Sequence, residues 1–360
     1  VANSVYGATD EAYIADIYYA ASAQIVAKAA AVLGLEETRQ NYQAIADRQW
    51  QVVKEEYFTA TGRCAVKTQT GLVLALKYHL SDNERLTEQM LRKLLRDNKN
   101  KLNTGFVGTP LLCNVLTEHG MTDLAYRLLL NEEYPGWLHE VKLGATTVWE
   151  RWNSLDENGR ISSTGMNSLN HYSYGAVLEW IFRHVAGIDV TEQGPGGKMM
   201  RISPKVDHKL GSASAVYDSA SGCYRCGWQI ENGDQITVTV TVPFGAKAQV
   251  ILPYAPDSVY HDTDNPLFET VENGICCVKA GQYTVTYKAA SPLKKSYSVD
   301  STLEDLLAEP AIRAFLSNMM EVDMIPDLAY GLTLRQAAEA FAGGVSAEQA
   351  QRLNALLEEF

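Results

Sequence analysis

Two short segments carry the side chains whose types and spacing could do chemistry. Gly144-Ala-Thr-Thr-Val-Trp149-Glu150-Arg151-Trp152 places one carboxylate between two indoles, and Ser168-Leu-Asn170-His171 follows about twenty residues later. A carboxylate can act as a general base on a water, a histidine can donate or accept a hydrogen bond, and aromatic faces offer an apolar surface to a ligand. This combination suits sugar chemistry, in which water attacks a carbon of the ring.

The carboxylate and the histidine also have structural interpretations. Glu150 could be the ion-pair partner of Arg151 or Arg160, which is the usual fate of a lone glutamate. We favour catalysis, because two indoles placed beside a carboxylate gain little from hydrophobic burial unless a ligand contacts them. His171, taken alone, is more typical of a helix-capping region than of a binding site.

Three tryptophans are candidate substrate contacts, and each could instead belong to the core. Trp149 and Trp152 lie three residues apart, so they cannot both be assigned to a pocket and one is expected to be core. Trp137 follows Pro135-Gly136, a turn that could simply dock its ring against neighbouring helices. Trp149, Trp152 and Trp137 are therefore predicted as substrate-binding residues alongside His171.

Three zones of different periodicity must position these residues. The first, 1–190, has the helical period, with helices predicted at 10–33, 36–58, 68–79, 81–97, 110–119, 122–131 and 168–185. The second, 191–295, alternates with period two, as in 235–242 and 281–287, which predicts an antiparallel β-sandwich of jelly-roll size. The third, 296–360, is predicted to be a small helical appendage whose helices start at 301, 333 and 346 with capping boxes.

The composition excludes several classes of function. The chain has 360 residues, 46% of them hydrophobic, and a formal net charge of -12, so it offers no basic stripe for nucleic acid or an anionic membrane surface. We find no run of about 18 apolar residues and no secretion signal, and expect a cytoplasmic protein with reduced thiols. Cys223-x-x-Cys226 has no second ligand pair, and no phosphate or dinucleotide motif is present, so we predict neither a metal nor a cofactor.

Five segments, taken in order, resemble one enzyme family. The segment Gly144–Trp152 looks like the catalytic-base segment of the α-L-rhamnosidases of glycoside hydrolase family 78. Four further segments resemble that family's sequence in order and spacing; they are 103–109, 134–137, 168–171 and the passage 186–204 into the β zone. The resemblance covers roughly residues 1 to 290.

The resemblance implies a fold and a reaction. It implies part of an (α/α)6 toroid followed by the β-sandwich, and an inverting hydrolysis of terminal α-L-rhamnosides. Inversion uses one carboxyl as acid and another as base, roughly 6.5–9.5 Å apart. By this resemblance Glu150 is the general base and His171 a sugar-binding histidine, and the partner is an L-rhamnose-containing glycoside or polysaccharide.

The sequence departs from the family at the general acid. The family carries that glutamate in a segment upstream of the part that aligns here, and about seven helices are too few for a toroid of twelve. We therefore expect the chain to lack its acid and to need an N-terminal portion of the same enzyme, or a homo-oligomer partner, to cover its apolar helix faces. The alternative is a non-catalytic carbohydrate-binding or assembly protein derived from that fold. Another hydrolase or lyase of the toroid class remains only if the match of 144–152 is fortuitous.

Overall fold

The computed structural model describes residues 8–156, 158–163, 165–326, 329–341 and 343–358. Two compact units divide the chain. One comprises Val1–Glu231 and Gln235–Lys288, and the other Asn232–Asp234 and Ala289–Phe360. The first unit holds the helical zone, the candidate site and the sheets.

Consecutive helices of the first unit pack as antiparallel hairpins. The helices are α1 (Glu11–Val32), α2 (Glu36–Tyr57), α3 (Gln69–Lys77), α4 (Glu84–Asp97), α5 (Thr109–Glu118), α6 (Thr122–Leu129), α7 (Trp137–Lys142) and α8 (Val177–Trp180). Helix α1 packs on α2, α3 on α4, and α5 on α6. The predicted hairpin arrangement is therefore confirmed for these pairs, and α7 was not predicted.

Side-chain caps set where several of these helices begin. The carboxylate of Asp10 accepts from the Tyr13 N–H at the start of α1, and Asn83 caps α4 by accepting from the Leu86 N–H. The prediction that Ser81 caps α4 is wrong. The Ser81 hydroxyl instead donates to the Gly62 carbonyl oxygen at 2.6 Å, which ties it to the preceding turn.

The predicted long helix over 168–185 is also wrong in its first part. Helical structure starts only at the 3₁₀ turn Ser173–Ala176, continues as α8 and ends in the π-helical turn Ile181–Val185. Residues 168–171 form a loop, because their backbone groups bond to the segment around Glu150. Tertiary hydrogen bonds there outweigh local helix propensity.

Two sheets follow the helices. The strands are β1 (Ile188–Val190), β2 (Met199–Ile202), β3 (Ser212–Ser219), β4 (Gly222–Glu231), β5 (Gln235–Val242), β6 (Lys247–Ile251), β7 (Val271–Glu272), β8 (Ile275–Val278) and β9 (Gly281–Lys288). Their orders are β1-β2-β6-β8-β7 and β3-β4-β5-β9. The predicted sandwich is confirmed, with one parallel pair between β2 and β6. These two strands can be parallel because the chain between them leaves for the other sheet, where it forms β3, β4 and β5, before it returns as β6.

Buried side chains join the sheets to each other and to the helices. The Tyr224 hydroxyl lies 2.8 Å from the Gly197 carbonyl oxygen and 3.0 Å from that of Lys247 on the opposite sheet. The Trp228 indole N–H donates to the Val185 carbonyl oxygen at the end of the helical zone. The β-sandwich therefore anchors the last helical turn, which follows the loop that carries His171.

The second unit is a group of short helices around a core of its own. Its helices are α9 (Leu303–Ala308), α10 (Pro310–Ser317), α11 (Leu334–Phe341) and α12 (Ala347–Leu357). Leu306, Ile312 and Leu357 lie in this core. The predicted capping boxes at 333 and 346 are confirmed, whereas α9 is capped by Thr302 and not by Ser301.

None of the helices described is long and apolar enough to cross a membrane.

Candidate active site

The two segments singled out by sequence lie side by side. The Glu150 N–H donates to the Ser168 carbonyl oxygen at 2.9 Å, and the His171 N–H donates to the Val148 carbonyl oxygen at 2.7 Å. Two loop segments are thus held together by backbone hydrogen bonds. This pairing brings the predicted base and the predicted sugar-binding histidine onto neighbouring segments of one loop region.

The Glu150 carboxylate is held by the backbone opposite it. Its side chain belongs to a residue only 9% exposed, and Oε2 accepts from the Ser168 N–H at 2.9 Å. The Arg151 guanidinium contacts Met166 instead, and within the described ranges neither Arg151 nor Arg160 forms an ion pair with Glu150. Oε1 accepts no hydrogen bond from any described residue, which leaves a fixed carboxylate with one oxygen available for a ligand or a water.

The His171 ring is oriented by stacking and by its own backbone. It lies against the exposed ring of Phe106, with centroids 5.1 Å apart and planes at 13°, and also against the ring of Tyr172. Its Nδ1 accepts from the Ser173 N–H at 3.3 Å, at the start of the 3₁₀ turn. Because Nδ1 is an acceptor, the neutral ring carries its proton on Nε2.

The three predicted tryptophans pack into the wall behind the site. Trp149 and Trp152 are both buried, and Trp152 stacks on Tyr174 with centroids 4.0 Å apart and planes at 6°. The Trp152 indole N–H donates to the Thr104 carbonyl oxygen, and Trp137 meets Trp152 edge-on while donating to the Tyr174 carbonyl oxygen. Each tryptophan thus has a packing role, and contact with substrate stays a prediction for all three.

The structure also reveals a buried carboxyl that the sequence analysis missed. Glu140 on α7 is 4% exposed. Burial raises its pKa to about 8, and the Trp149 backbone N–H, acting as a donor, opposes that rise. Its Oε1 has no hydrogen-bond partner among the residues described. No sequence signal could have found it, because a glutamate between His139 and Lys142 on a short helix looks like an exposed residue.

Phe106 and Tyr174 were also missed as residues of this site. Phe106 lies in the segment 103–109 that carried part of the resemblance, yet no role was assigned to it. Its ring contacts both His171 and Tyr174. Resemblance of that segment was the one available signal, because an isolated phenylalanine before a helix is ordinarily core.

Nothing in the described part of the chain resembles a metal centre: no three His, Cys, Asp or Glu side chains there are grouped as ligands would be. The chemistry available to the site comes from a carboxylate, an imidazole and aromatic rings.

Comparison with known families gives this geometry its context. Residues 2–185 match the bacterial α-L-rhamnosidase six-hairpin glycosidase domain, and residues 187–265 match the bacterial α-L-rhamnosidase C-terminal domain. The chain belongs to this rhamnosidase family. The family resemblance stated from the sequence is confirmed, and the predicted fold class with it.

Relatives and solved structures of the family agree. An α-L-rhamnosidase from Formosa agariphila is 36% identical over 270 residues, covering 74% of this chain and 29% of the relative. The crystal structure of the Streptomyces avermitilis α-L-rhamnosidase complexed with L-rhamnose matches with a TM-score of 0.70 at 32% identity, covering 77% of this chain and 27% of that one. An Aspergillus terreus α-L-rhamnosidase structure matches with a TM-score of 0.69 at 28% identity, covering 79% and 31%.

The chain therefore spans about three tenths of the length of these rhamnosidases. The predicted domain limits at 190 and 295 stay predictions. The two family matches meet at residues 185 and 187, and β1 starts at Ile188. The appendage from 296 onward lies outside both matches.

Proposed function

We propose that the protein hydrolyses terminal α-L-rhamnosides with inversion at the anomeric carbon, and that Glu150 is its general base. Membership of the rhamnosidase family supports the substrate class, as does the L-rhamnose complex of the S. avermitilis relative. The role of Glu150 rests on how its carboxylate is held. Its Oε2 accepts a hydrogen bond from the Ser168 N–H, whereas its Oε1 accepts none from the described residues.

The geometry suits proton abstraction from a water. Oε1 accepts a proton from the water as the water oxygen forms its bond to the anomeric carbon, on the face opposite the leaving group. The bond from that carbon to the glycosidic oxygen breaks, and the leaving oxygen takes a proton from the general acid. Because Ser168 holds Oε2, the carboxylate does not have to reorient during this step.

His171 is proposed to bind the sugar. With Nδ1 accepting from the Ser173 N–H, its Nε2–H can donate to a ring hydroxyl oxygen. Stacking on Phe106 restricts rotation of the imidazole, so this donor has a defined direction. The substrate contacts predicted for Trp149, Trp152 and Trp137 belong to the same proposal.

The general acid is proposed to come from outside this chain. An inverting glycosidase needs a second carboxyl roughly 6.5–9.5 Å from the base. The chain spans about three tenths of the relatives' length, and we place the acid in an N-terminal portion of the same enzyme. On this view the 360 residues alone do not turn over substrate.

The test uses p-nitrophenyl α-L-rhamnoside as substrate. It compares the full-length gene product, the 360-residue chain and full-length Glu150→Gln. Full-length Glu179→Gln, a change at an exposed glutamate, is the control. Only the full-length wild type and Glu179→Gln are expected to release p-nitrophenol at the normal rate. Loss of the base is expected to cost about 100-fold or more in kcat. Proton NMR of the first product should show β-L-rhamnose, as inversion requires.

Azide separates a base from a merely structural glutamate. In full-length Glu150→Ala, azide needs no deprotonation, so it should restore turnover and yield β-L-rhamnosyl azide. An inactive full-length wild type that still binds L-rhamnose would instead favour the non-catalytic carbohydrate-binding protein. Retention of configuration would exclude Glu150 as the base of an inverting reaction.

A further inference from the structure

A row of aromatic rings leads from the wall behind the site to the surface. Trp152 stacks on Tyr174 in the interior, and the Tyr174 ring meets Phe106 with centroids 5.6 Å apart. Phe106 and Tyr172 each stack against the His171 ring, with centroids 5.1 Å apart in both pairs and planes at 13° and 18°. The first two rings are buried, whereas Phe106 is 44% and Tyr172 84% exposed, so the row ends in solvent.

Tyr172, at the outer end of this row, has a fixed position and an uncovered ring. Its carbonyl oxygen accepts from the Gly175 N–H at 3.0 Å, which starts the 3₁₀ turn, and its ring packs on His171. Its hydroxyl bonds to no described residue. A large apolar surface left exposed next to a binding residue is typical of a surface that a ligand covers.

The proposed reaction directs its leaving group toward solvent. A terminal sugar enters the site, and the rest of the substrate stays outside, because cleavage occurs at the bond that joins the last sugar to the remainder. His171 is proposed to donate to a hydroxyl of that sugar, and it lies one ring inward of Tyr172 in the row. The group beyond the glycosidic oxygen therefore lies on the Tyr172 side of the bound sugar.

We propose that Tyr172 binds the leaving group of the substrate by stacking on an aromatic ring attached to the glycosidic oxygen. This inference rests on the proposed function, because it names the residue that faces the leaving group in the same site. The near-parallel planes of the row are a geometry that one further aromatic ring continues. A second sugar would need several hydrogen-bond partners for its hydroxyls, whereas the Tyr172 side chain offers one hydroxyl.

The experiment compares full-length wild type, Tyr172→Ala, Tyr172→Phe and Phe244→Ala; the last removes a ring 96% exposed in the loop between β5 and β6. With p-nitrophenyl α-L-rhamnoside, Tyr172→Ala should raise KM about three- to tenfold and change kcat less than about twofold, because it removes a stacking contact made equally before and during the reaction. Tyr172→Phe keeps the ring and should keep KM within about twofold, as should Phe244→Ala. The inhibition constant of L-rhamnose, which has no leaving group, should stay within about twofold in all four proteins.

A disaccharide substrate tests the chemical class of the leaving group. In α-L-rhamnosyl-(1→6)-D-glucose a sugar replaces the aromatic ring, so Tyr172→Ala should change the KM for this substrate less than about twofold. An equal rise in KM for both substrates would overturn the assignment to an aromatic leaving group.

Three other results would overturn the proposal. One is an unchanged KM for the p-nitrophenyl substrate in Tyr172→Ala. Another is an inhibition constant of L-rhamnose that rises as much as that KM, because the ring would then contact the sugar itself. The third is a urea midpoint of Tyr172→Ala well below that of the wild type, since the ring would then be covered by another part of the full-length protein and not by the leaving group.

Calorimetry separates this inference from the proposed function. Titration of p-nitrophenyl α-L-rhamnoside and of L-rhamnose into full-length Glu150→Gln, with and without Tyr172→Ala, measures binding in the absence of turnover. In a wild type that cleaves rhamnosides, equal binding of the p-nitrophenyl compound with and without Tyr172→Ala refutes the inference alone. In a wild type that cleaves none, weaker binding of that compound, with L-rhamnose binding unchanged, supports the contact with Tyr172 while the proposed function fails.

Discussion

Two glutamates ten residues apart differ in what surrounds them. Glu150 receives a backbone N–H from Ser168 at 2.9 Å and keeps one oxygen unbonded by described residues, as a carboxylate that takes a proton from water requires. Glu140 is enclosed on α7, and burial raises its pKa to about 8. Environment, and not residue type, therefore separates the proposed base from a buried carboxyl with a raised pKa.

The raised pKa of Glu140 predicts a pH dependence of stability. Between its ordinary value of 4.5 and about 8, the unfolded state releases a proton that the folded state retains. Stability of the wild type therefore falls as pH rises through this window, by at most about 1.4 kcal/mol per pH unit, and the effect is flat outside it. Glu140→Gln does not titrate, so its stability relative to the wild type should increase from pH 5 to pH 8 by up to a few kcal/mol.

Urea unfolding of the wild type, Glu140→Gln and Glu56→Gln at several pH values across this window measures the effect. Glu56 is an exposed glutamate of α2, so Glu56→Gln should run parallel to the wild type. Parallel curves for Glu140→Gln as well would show that Glu140 has an ordinary pKa in the folded state.

At the scale of elements, the short helical stretch 173–185 supports the site through Tyr174. Its ring stacks on Trp152 and contacts Phe106, and its carbonyl oxygen accepts from the Trp137 indole N–H. The 3₁₀ turn is thereby joined to α7 and to the segment of the base. Stacked, buried aromatic rings make this junction rigid.

Removing that ring should destabilise the fold. We expect Tyr174→Ala to lower the free energy of unfolding by about 3–5 kcal/mol, because it empties a buried aromatic position. The neighbouring Tyr172 is 84% exposed, so Tyr172→Ala is the matched control and should cost less than about 1 kcal/mol. Chemical denaturation of the three proteins measures the difference, and equal losses for both variants would show that Tyr174 does not carry the junction.

At the scale of the whole molecule, α1 presents apolar side chains on two faces. Tyr13 and Ile17 are buried on one face, whereas Ile25 is 66% and Val32 88% exposed. Exposed apolar rows of this kind mark a surface that another element covers. The chain spans about three tenths of its relatives' length, so we propose that an N-terminal portion of the same enzyme packs there.

A charge placed on this face of α1 should have different effects in the isolated chain and in the full-length protein. In the isolated 360-residue chain, Ile25→Lys should reduce self-association seen by sedimentation velocity. In the full-length protein it should lower stability by about 2 kcal/mol, because it buries a charge in place of an apolar side chain. Phe244→Lys, at a loop residue 96% exposed, is the control. A monomeric isolated chain with a cooperative melt would contradict this prediction.

The sequence by itself determined most of the helices and strands, and the family to which the chain belongs. Period and caps placed α1, α2, β5 and β9 to within about one or two residues, because these signals are local in the chain. The motif Gly144–Trp152, with four further segments in the same order, was enough to recognise the family.

Only the tertiary structure decided how these parts meet. Residues 168–171 form a loop and not the predicted helix, because Glu150 and Val148 supply their hydrogen-bond partners from about twenty residues away. The burial of Glu140, and the stacking of His171 on Phe106, likewise depend on residues distant in the chain. Local patterns report preferences of short segments, whereas burial and pairing follow from the packing of the whole fold.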